Sequence, residues 1–402
     1  MKWLFVTSRF PWPLVHGRSV TLYHTIRTLA RAGDRTALLC YQGEPEAVEA
    51  YRRCGVEVLE GPIGVPPTKG PSHPRLAPFV HDAELAVRVA ARAGGFDTLV
   101  LMGAEGLQYA PQARPAACVV AFLVDDPMLE VGRRLTRQGH PLAWLRDAKF
   151  LVGQRIYENA FVRQIDLAAF VSRQDVQSFA RRHPQTAVAF VPNGVDLDHF
   201  APPVSRPAAG GPTVVFMGNL EHPPNDDAAR FLIRRIAPRI WARRPQTLVA
   251  IVGCAPSPKL RRLAGPRIDI TGFLDDPRPR LWDAAVAMAP MRIGTGIKNK
   301  LLEAWAARTA VVATPLACQG IPARPEANLL VGCTADQLAG QALRLLDDAA
   351  LQGRIAEAGR RTVEQEMAWP QTVALLRRAV LDVRSAPSMG PDVQWLCPEG
   401  PR

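Results

Sequence analysis

The stretch Ala285–Ala313 reads AVAMAPMRIGTGIKNKLLEAWAARTAVVA. Its apolar run Ala285–Ala289 predicts a strand, and the glycines at 294 and 296 predict a turn. Helical spacing then returns over 297–307, and Ala310–Ala313 is short, apolar and strand-like. Two strands joined through a helix run parallel, so this segment predicts one unit of a parallel α/β sheet.

The same alternation extends in both directions. Strands are expected at Lys2–Val6, Thr36–Cys40, Val56–Leu59, Thr98–Met102, Cys118–Val124, Leu167–Val171 and Val188–Val191. Helices are expected between them, among them a long one over Leu142–Val162 with an apolar stripe through Leu145, Ala148, Val152, Ile156 and Ala160. Residues 201–212, APPVSRPAAGGP, carry no periodicity and read as a linker. The pattern restarts with strands at Thr213–Met217, Thr247–Val252, Ile268–Ile270, Ala285–Ala289 and Ala310–Ala313. The fold class expected is therefore α/β, with two Rossmann-like domains of parallel strands, 1–200 and 213–368, facing an interdomain cleft. A helix over 369–385 is expected to pack back on the first domain, and 386–402 to be a disordered tail. In open α/β sheets ligands bind at the carboxyl ends of the strands, which gives a place but not a reaction.

Composition narrows the classes. The chain has 402 residues, 48% hydrophobic and 21% charged, enough to bury full-sized cores. No apolar run approaches the ~18 residues a membrane span requires. The N-terminal apolar run ends at Val6 without a cleavage site, so no signal peptide is expected. The seven cysteines are scattered without metal-binding spacing, which speaks against a disulfide framework and a structural zinc. A cytoplasmic protein is expected. The net charge of +12 is nearly all arginine, 43 Arg against 6 Lys, and is spread evenly. It fits an anionic membrane surface or an anionic substrate, or simply a solvated Arg-rich exterior. Aromatics at 7% and the absence of a recognition motif argue against nucleic acid.

Two segments carry chemistry. In Pro290–Glu303 the Gly294-Thr295-Gly296 turn precedes a helix start, where unpaired N–H groups and the helix dipole favour an anion. Lys298 has the wrong charge for a helix N-terminus unless an anion sits opposite. A corner with surface lysines is the plainer alternative. The second segment, Val191–Phe200 (VPNGVDLDHF), reads as an Asn-Gly turn with positive φ ahead of the linker.

Taken together, VPNGVDLDHF and GTGIKNKLLEAWAARTAVVATPLACQGI resemble the retaining glycosyltransferases of the GT-B fold, family 4, and within them the sugar transferases of bacterial exopolysaccharide clusters. PWPLVHGRS, MGNLEHPPNDDAARF, IVG at 251–253 and TGFLDD at 271–276 fall in the family's order, and the resemblance covers roughly residues 2–385. It implies a nucleotide-diphosphate sugar as co-substrate, no cofactor and no metal. It implies an acceptor that is a glycan, a lipid-linked molecule or a small molecule; the net charge of +12 and the lack of a spanning segment add peripheral association with the inner face of the plasma membrane as an expectation.

The resemblance also assigns residues. Glu303 matches the glutamate that holds the ribose, and the Gly294, Gly296, Ile297 and Lys298 turn matches the segment facing the diphosphate. Gly272 and Phe273 fall at the nucleobase, Gly218 at the first strand of the donor domain, and Gly17 at the first-loop glycine near the donor phosphate. Thr295 stands where the family has its first glutamate, so Thr295, Lys298 and Glu303 form the implied catalytic set. The family's arginine after Gly218 and the lysine a few residues later are missing. His16, Asp125 and Asp126 are candidate acceptor contacts; for the aspartates, capping before Pro127 is the alternative. Glu158 reads as structural. Arg133, Arg134, Arg137, Arg146 and Lys149, with Trp144, make a basic stretch that suits a membrane or a lipid-diphosphate acceptor, or is a solvated face. Competing functions are a non-catalytic nucleotide- or partner-binding protein of the same fold and a sugar-nucleotide 2-epimerase.

Overall fold

The computed structural model describes residues 1–14, 17–64, 66, 78–135, 141–203, 212–294 and 296–385. The centre of the expected linker (204–211) and the expected tail (386–402) lie outside them.

The chain forms two compact units, Met1–Pro192 together with the chain from Thr372, and Asn193–Gln371. The first holds a seven-stranded sheet made of β1 (Lys2–Val6), β2 (Arg35–Leu39), β3 (Glu57–Leu59), β4 (Thr98–Met102), β5 (Cys118–Val124), β6 (Leu167–Phe170) and β7 (Ala187–Phe190). Its order is β3-β2-β1-β4-β5-β6-β7, and every pair is parallel. The second holds β8 (Thr213–Met217), β9 (Leu248–Val252), β10 (Ile268–Gly272), β11 (Val286–Ala289), β12 (Ala310–Ala313) and β13 (Leu330–Val331), in the order β10-β9-β8-β11-β12-β13, again parallel throughout. β4 and β5 are buried along their whole length, as strands covered on both faces must be. β13 escaped the sequence reading because two residues carry no period.

Each sheet reverses its order at one point, between β1 and β4 in the first unit and between β8 and β11 in the second. In such sheets ligands bind at the carboxyl ends of the strands at that point, so the topology alone nominates two places for ligands.

The chain enters the second unit ahead of the Pro/Gly-rich stretch, at the Asn193-Gly194 motif. That motif is not the positive-φ turn the sequence suggested: neither residue has positive φ. Gly194 is required for closeness, since a Cβ there would lie 2.7 Å from the Trp369 ring. The Val195 amide donates to the Met367 carbonyl at 2.9 Å. The C-terminal helix Trp369–Ser385 starts in the second unit and continues into the first, where Arg377 pairs with the buried Asp34 at 3.2 Å. No helix among the described residues is long and apolar enough to cross a membrane.

The long helix Pro141–Phe161 departs from expectation in its orientation. Its buried side carries Asp147, Gln154, Tyr157, Glu158 and Phe161, while the predicted apolar stripe faces outward at Leu145, Val152 and Ile156. The cause is a buried polar network. Arg182 pairs through Nη1 and Nη2 with both oxygens of Asp126 (2.8 and 2.9 Å) and through Nε with Glu158 at 3.2 Å. His183 Nε2 meets Glu158 Oε2 at 3.0 Å, and Gln154 donates to Oε1 at 3.1 Å. The Tyr157 hydroxyl donates to the Ala104 carbonyl at 2.9 Å and accepts from the Gln108 amide at the same distance. Burying those charges unpaired would cost more than exposing a few apolar side chains, so the polar side of the helix goes in.

Candidate active site

In the second unit the reversal point gathers the loop after β8, the loop after β11 and the helix Asn299–Ala306. The helix starts two residues later than the sequence suggested. Gly296 has φ +71°, in the left-handed region, and Lys298 caps the helix in non-helical backbone (φ −95°, ψ 86°). The Lys298 ammonium donates to the Gly296 carbonyl at 2.7 Å and is buried. Lys298 therefore lies inside the turn it was expected to serve. Asn193 Nδ2 donates to Asn299 Oδ1 at 3.2 Å, which ties the Asn193-Gly194 motif to the start of this helix.

Lys300, which the sequence reading passed over, reaches the reversal point itself. Its Nζ donates to Asn225 Oδ1 at 2.6 Å and stands 4.3 Å from the centre of the Phe216 ring, at the end of β8. A Cβ on Gly218 would lie 2.8 Å from that Nζ, so glycine is what admits the lysine head there. Asn225 in turn donates to the Asn219 carbonyl at 2.7 Å. Lys300 thus enters from the helix side into the loop that follows β8. Its spacing, two residues beyond Lys298, was the available signal: on a helix start those two side chains point to different sides.

Charge and burial are coupled here. Burial pushes the Lys300 ammonium down to about 7, with Lys298 acting the same way and Glu303 opposing. Burial pushes the Glu303 carboxyl up, and Lys300 pulls against it. Among the described residues no hydrogen bond to the Glu303 side chain is formed. Gly294 and Gly272 have positive φ (116° and 71°), Ile297 is half-buried, and Phe273 is 65% exposed after β10, available as a flat apolar surface. Thr295 lies outside the described residues.

In the first unit the reversal point holds a cavity of about 710 Å³, walled by the Thr7–Pro13 loop after β1 and by Glu105, Gln108 and Tyr109 after β4. Arg18 and Asp82 also line it, and Arg18 is ion-paired with Glu105. Gly17 is exposed one residue before Arg18, at the start of the helix Gly17–Arg31. His16 lies outside the described residues. Neither Asp125 nor Asp126 lines this cavity. Val124 sits at φ +67°, a region that β-branched residues rarely adopt, and leaves Asp125 exposed and Asp126 buried. Asp126 accepts from the Met128 amide at 3.0 Å and from Arg182, the capping alternative in action. The sequence reading did not single out Glu105, Arg18 or Asp82; for Glu105 the signal was its place just past the end of β4.

These features define a two-domain parallel α/β protein with Lys300 set against Gly218 and Asn225 at the strand-order reversal of its second unit. Residues 211–348 match the family model described as Glycosyl transferases group 1. The chain is 30% identical over 212 residues to the phosphatidyl-myo-inositol mannosyltransferase of Mycobacterium tuberculosis, which covers 48% of this chain; the chain spans about half (55%) of that relative's length. Among solved structures it is similar to Anabaena HepE in complex with UDP and glucose (TM-score 0.67, 16% identity, 95% of this chain and 100% of that one). It is also similar to sucrose-phosphate synthase from Thermosynechococcus elongatus (TM-score 0.65, 17% identity, 96% and 100%). At such identities these structures show the fold, two Rossmann-like domains of the GT-B type.

Proposed function

We propose that this protein is a retaining, metal-independent glycosyltransferase of family 4. It moves a sugar from a nucleotide-diphosphate sugar to a glycan, lipid-linked or small-molecule acceptor in bacterial polysaccharide or glycoconjugate biosynthesis. The observation that carries the reading is the close approach of the partly buried Lys300 to Gly218 at the β8/β11 reversal, within the segment matched by the glycosyltransferase family model. HepE, with UDP bound, supports a nucleoside diphosphate as the anion.

In this reading Glu303 takes the ribose hydroxyls, and the Gly296 turn, Lys298 and Lys300 face the diphosphate. Phe273 and Gly272 meet the base, and the 710 Å³ cavity of the first unit takes the acceptor. The bond between the anomeric carbon and the phosphate oxygen breaks, and the acceptor oxygen bonds to that carbon on the same face. The acceptor proton passes to the leaving diphosphate, so the chain need supply no strong base. Fixed cations and amides stabilise the negative charge that grows on the leaving group.

Calorimetry with nucleoside, nucleoside diphosphate and nucleotide sugar tests the site. Loss of a charged hydrogen-bond partner costs about 1.5–3 kcal/mol, roughly ten- to a hundred-fold in affinity. Glu303→Ala is expected to weaken nucleoside and diphosphate alike. Lys300→Met is expected to weaken the diphosphate only, and by more than Lys298→Ala, whose ammonium is already bonded within the turn. A diphosphate that recharges Lys300 also draws in a proton. Above about pH 7, wild-type diphosphate affinity should fall with rising pH, and the binding heat should change with the buffer's ionisation enthalpy. Both effects vanish in Lys300→Met. Wild type that binds the diphosphate yet transfers no sugar across a broad donor and acceptor panel would instead favour the non-catalytic alternative.

A further inference from the structure

Five of the twelve large apolar side chains exposed among the described residues lie on one helix, Pro141–Phe161. They are Leu142 (72% exposed), Trp144 (51%), Leu145 (61%), Val152 (57%) and Ile156. Leu142, Leu145, Val152 and Ile156 share one stripe with Lys149, at steps of three and four residues. The helix cannot roll this stripe inward. Glu158, Gln154 and Tyr157 hold its other side through the hydrogen bonds to Arg182, His183, Ala104 and Gln108. An apolar face held outward by buried ion pairs is a surface made for a partner.

Charge selects the partner. The only acids on this helix, Asp147 and Glu158, are both buried, while Arg146 and Lys149 are exposed. The outward face therefore offers apolar groups and cations without an exposed carboxylate. A second copy packed along the same stripe would bring cations against cations, with Lys149 at its centre. An anionic bilayer surface takes both features at once: apolar side chains enter the headgroup boundary, tryptophan sits at the interface, and cations meet lipid phosphates. The chain's net charge of +12 acts in the same direction.

We propose that the outward face of the Pro141–Phe161 helix lies flat on an anionic lipid surface, with Leu142, Leu145, Val152 and Ile156 in the headgroup boundary, Lys149 among them reaching the phosphates, and the exposed Trp144 on the flank at the interface. This stands independently of the donor chemistry. Of the basic stretch seen in the sequence, Arg137 and the Arg133 and Arg134 side chains lie outside the described residues and take no part in it.

Co-sedimentation of the full chain with phosphatidylcholine vesicles, and with vesicles also containing phosphatidylglycerol, tests the assignment. Wild type should pellet with the anionic vesicles, weakly with the neutral ones, and less at high salt. Lys149→Gln should weaken partitioning about fivefold. The pair Leu145→Asn and Val152→Asn should abolish it at every salt concentration with thermal stability unchanged, because both side chains are exposed. Leu381→Asn, which removes an exposed leucine from the C-terminal helix, should leave it intact. The assignment is overturned by equal pelleting with both vesicle types, by wild-type partitioning in the Leu145/Val152 pair variant, or by a dimer that this variant dissolves while vesicle binding is absent.

Discussion

Replacing Arg182 by Met is expected to lower stability by about 3–5 kcal/mol, the cost of stranding buried charge. Arg182 serves both Asp126 and Glu158, whose side chains are almost wholly shielded from water. Removing it leaves two carboxylates close together, Glu158 with only His183 and Gln154 and Asp126 with the Met128 amide. For a unit of this size the midpoint should fall by an order of 10 °C in a thermal melt. The pH dependence carries the sign of the effect. In wild type, burial would push the Glu158 carboxyl up, but His183, Arg182 and Gln154 outweigh burial and hold it below its usual range. Its contribution is therefore complete above about pH 4.3 and fades as the pH falls through the folded-state value. In Arg182→Met the carboxylates lose that support, so mild acid should stabilise the variant relative to pH 7. A melt in which the variant loses less than about 1 kcal/mol, or shows the wild-type pH trend, would remove this network as the reason the long helix faces inward with its polar side.

Trp305→Ala should cost the second unit about 3–5 kcal/mol, since the indole is fully buried. It packs so tightly that a Cβ on Gly359 would lie 2.2 Å from its ring, and its Nε1 donates to the Asn328 carbonyl at 2.8 Å. Lys300 and Glu303 ride on the same eight-residue helix. Under the function proposed above, loosening the rear of that helix weakens nucleoside diphosphate binding even at temperatures where the variant stays folded. Trp305→Phe, which keeps the ring and loses the N–H, should fall between the two. Denaturant titration together with calorimetry checks both halves. Full ligand affinity in a strongly destabilised Trp305→Ala would mean that the crevice does not depend on this anchor.

Parallel strands buried on both faces write themselves as continuous apolar runs, so β4, β5 and β8 stand in the sequence almost residue for residue. The pairing of Gly294 and Gly296 with a helix start was legible for the same local reason. What escaped was non-local. Lys300 matters through Asn225 and Gly218, 75 and 82 residues away in the chain, and no period records that distance. The orientation of the long helix was misjudged because its stripe was read for hydrophobicity alone. The partners that pull the other side inward, Arg182 and His183, sit on a different element. Gly194 looked like a turn because Asn-Gly favours one, yet its want of a side chain serves the indole of Trp369.

The chain leaves the first unit at Pro192 and rejoins it at Thr372, which has a consequence for the order of assembly on the ribosome. Domains ordinarily fold in the order in which they are synthesised. Here the later unit is the continuous one and can close while the earlier one still lacks its last helix. The side chain of Asp34 is made early, but its partner Arg377 emerges more than three hundred residues later. The unit holding the 710 Å³ cavity is thus the last to be completed, and the nested unit is the one whose whole core comes from a single uninterrupted run of chain.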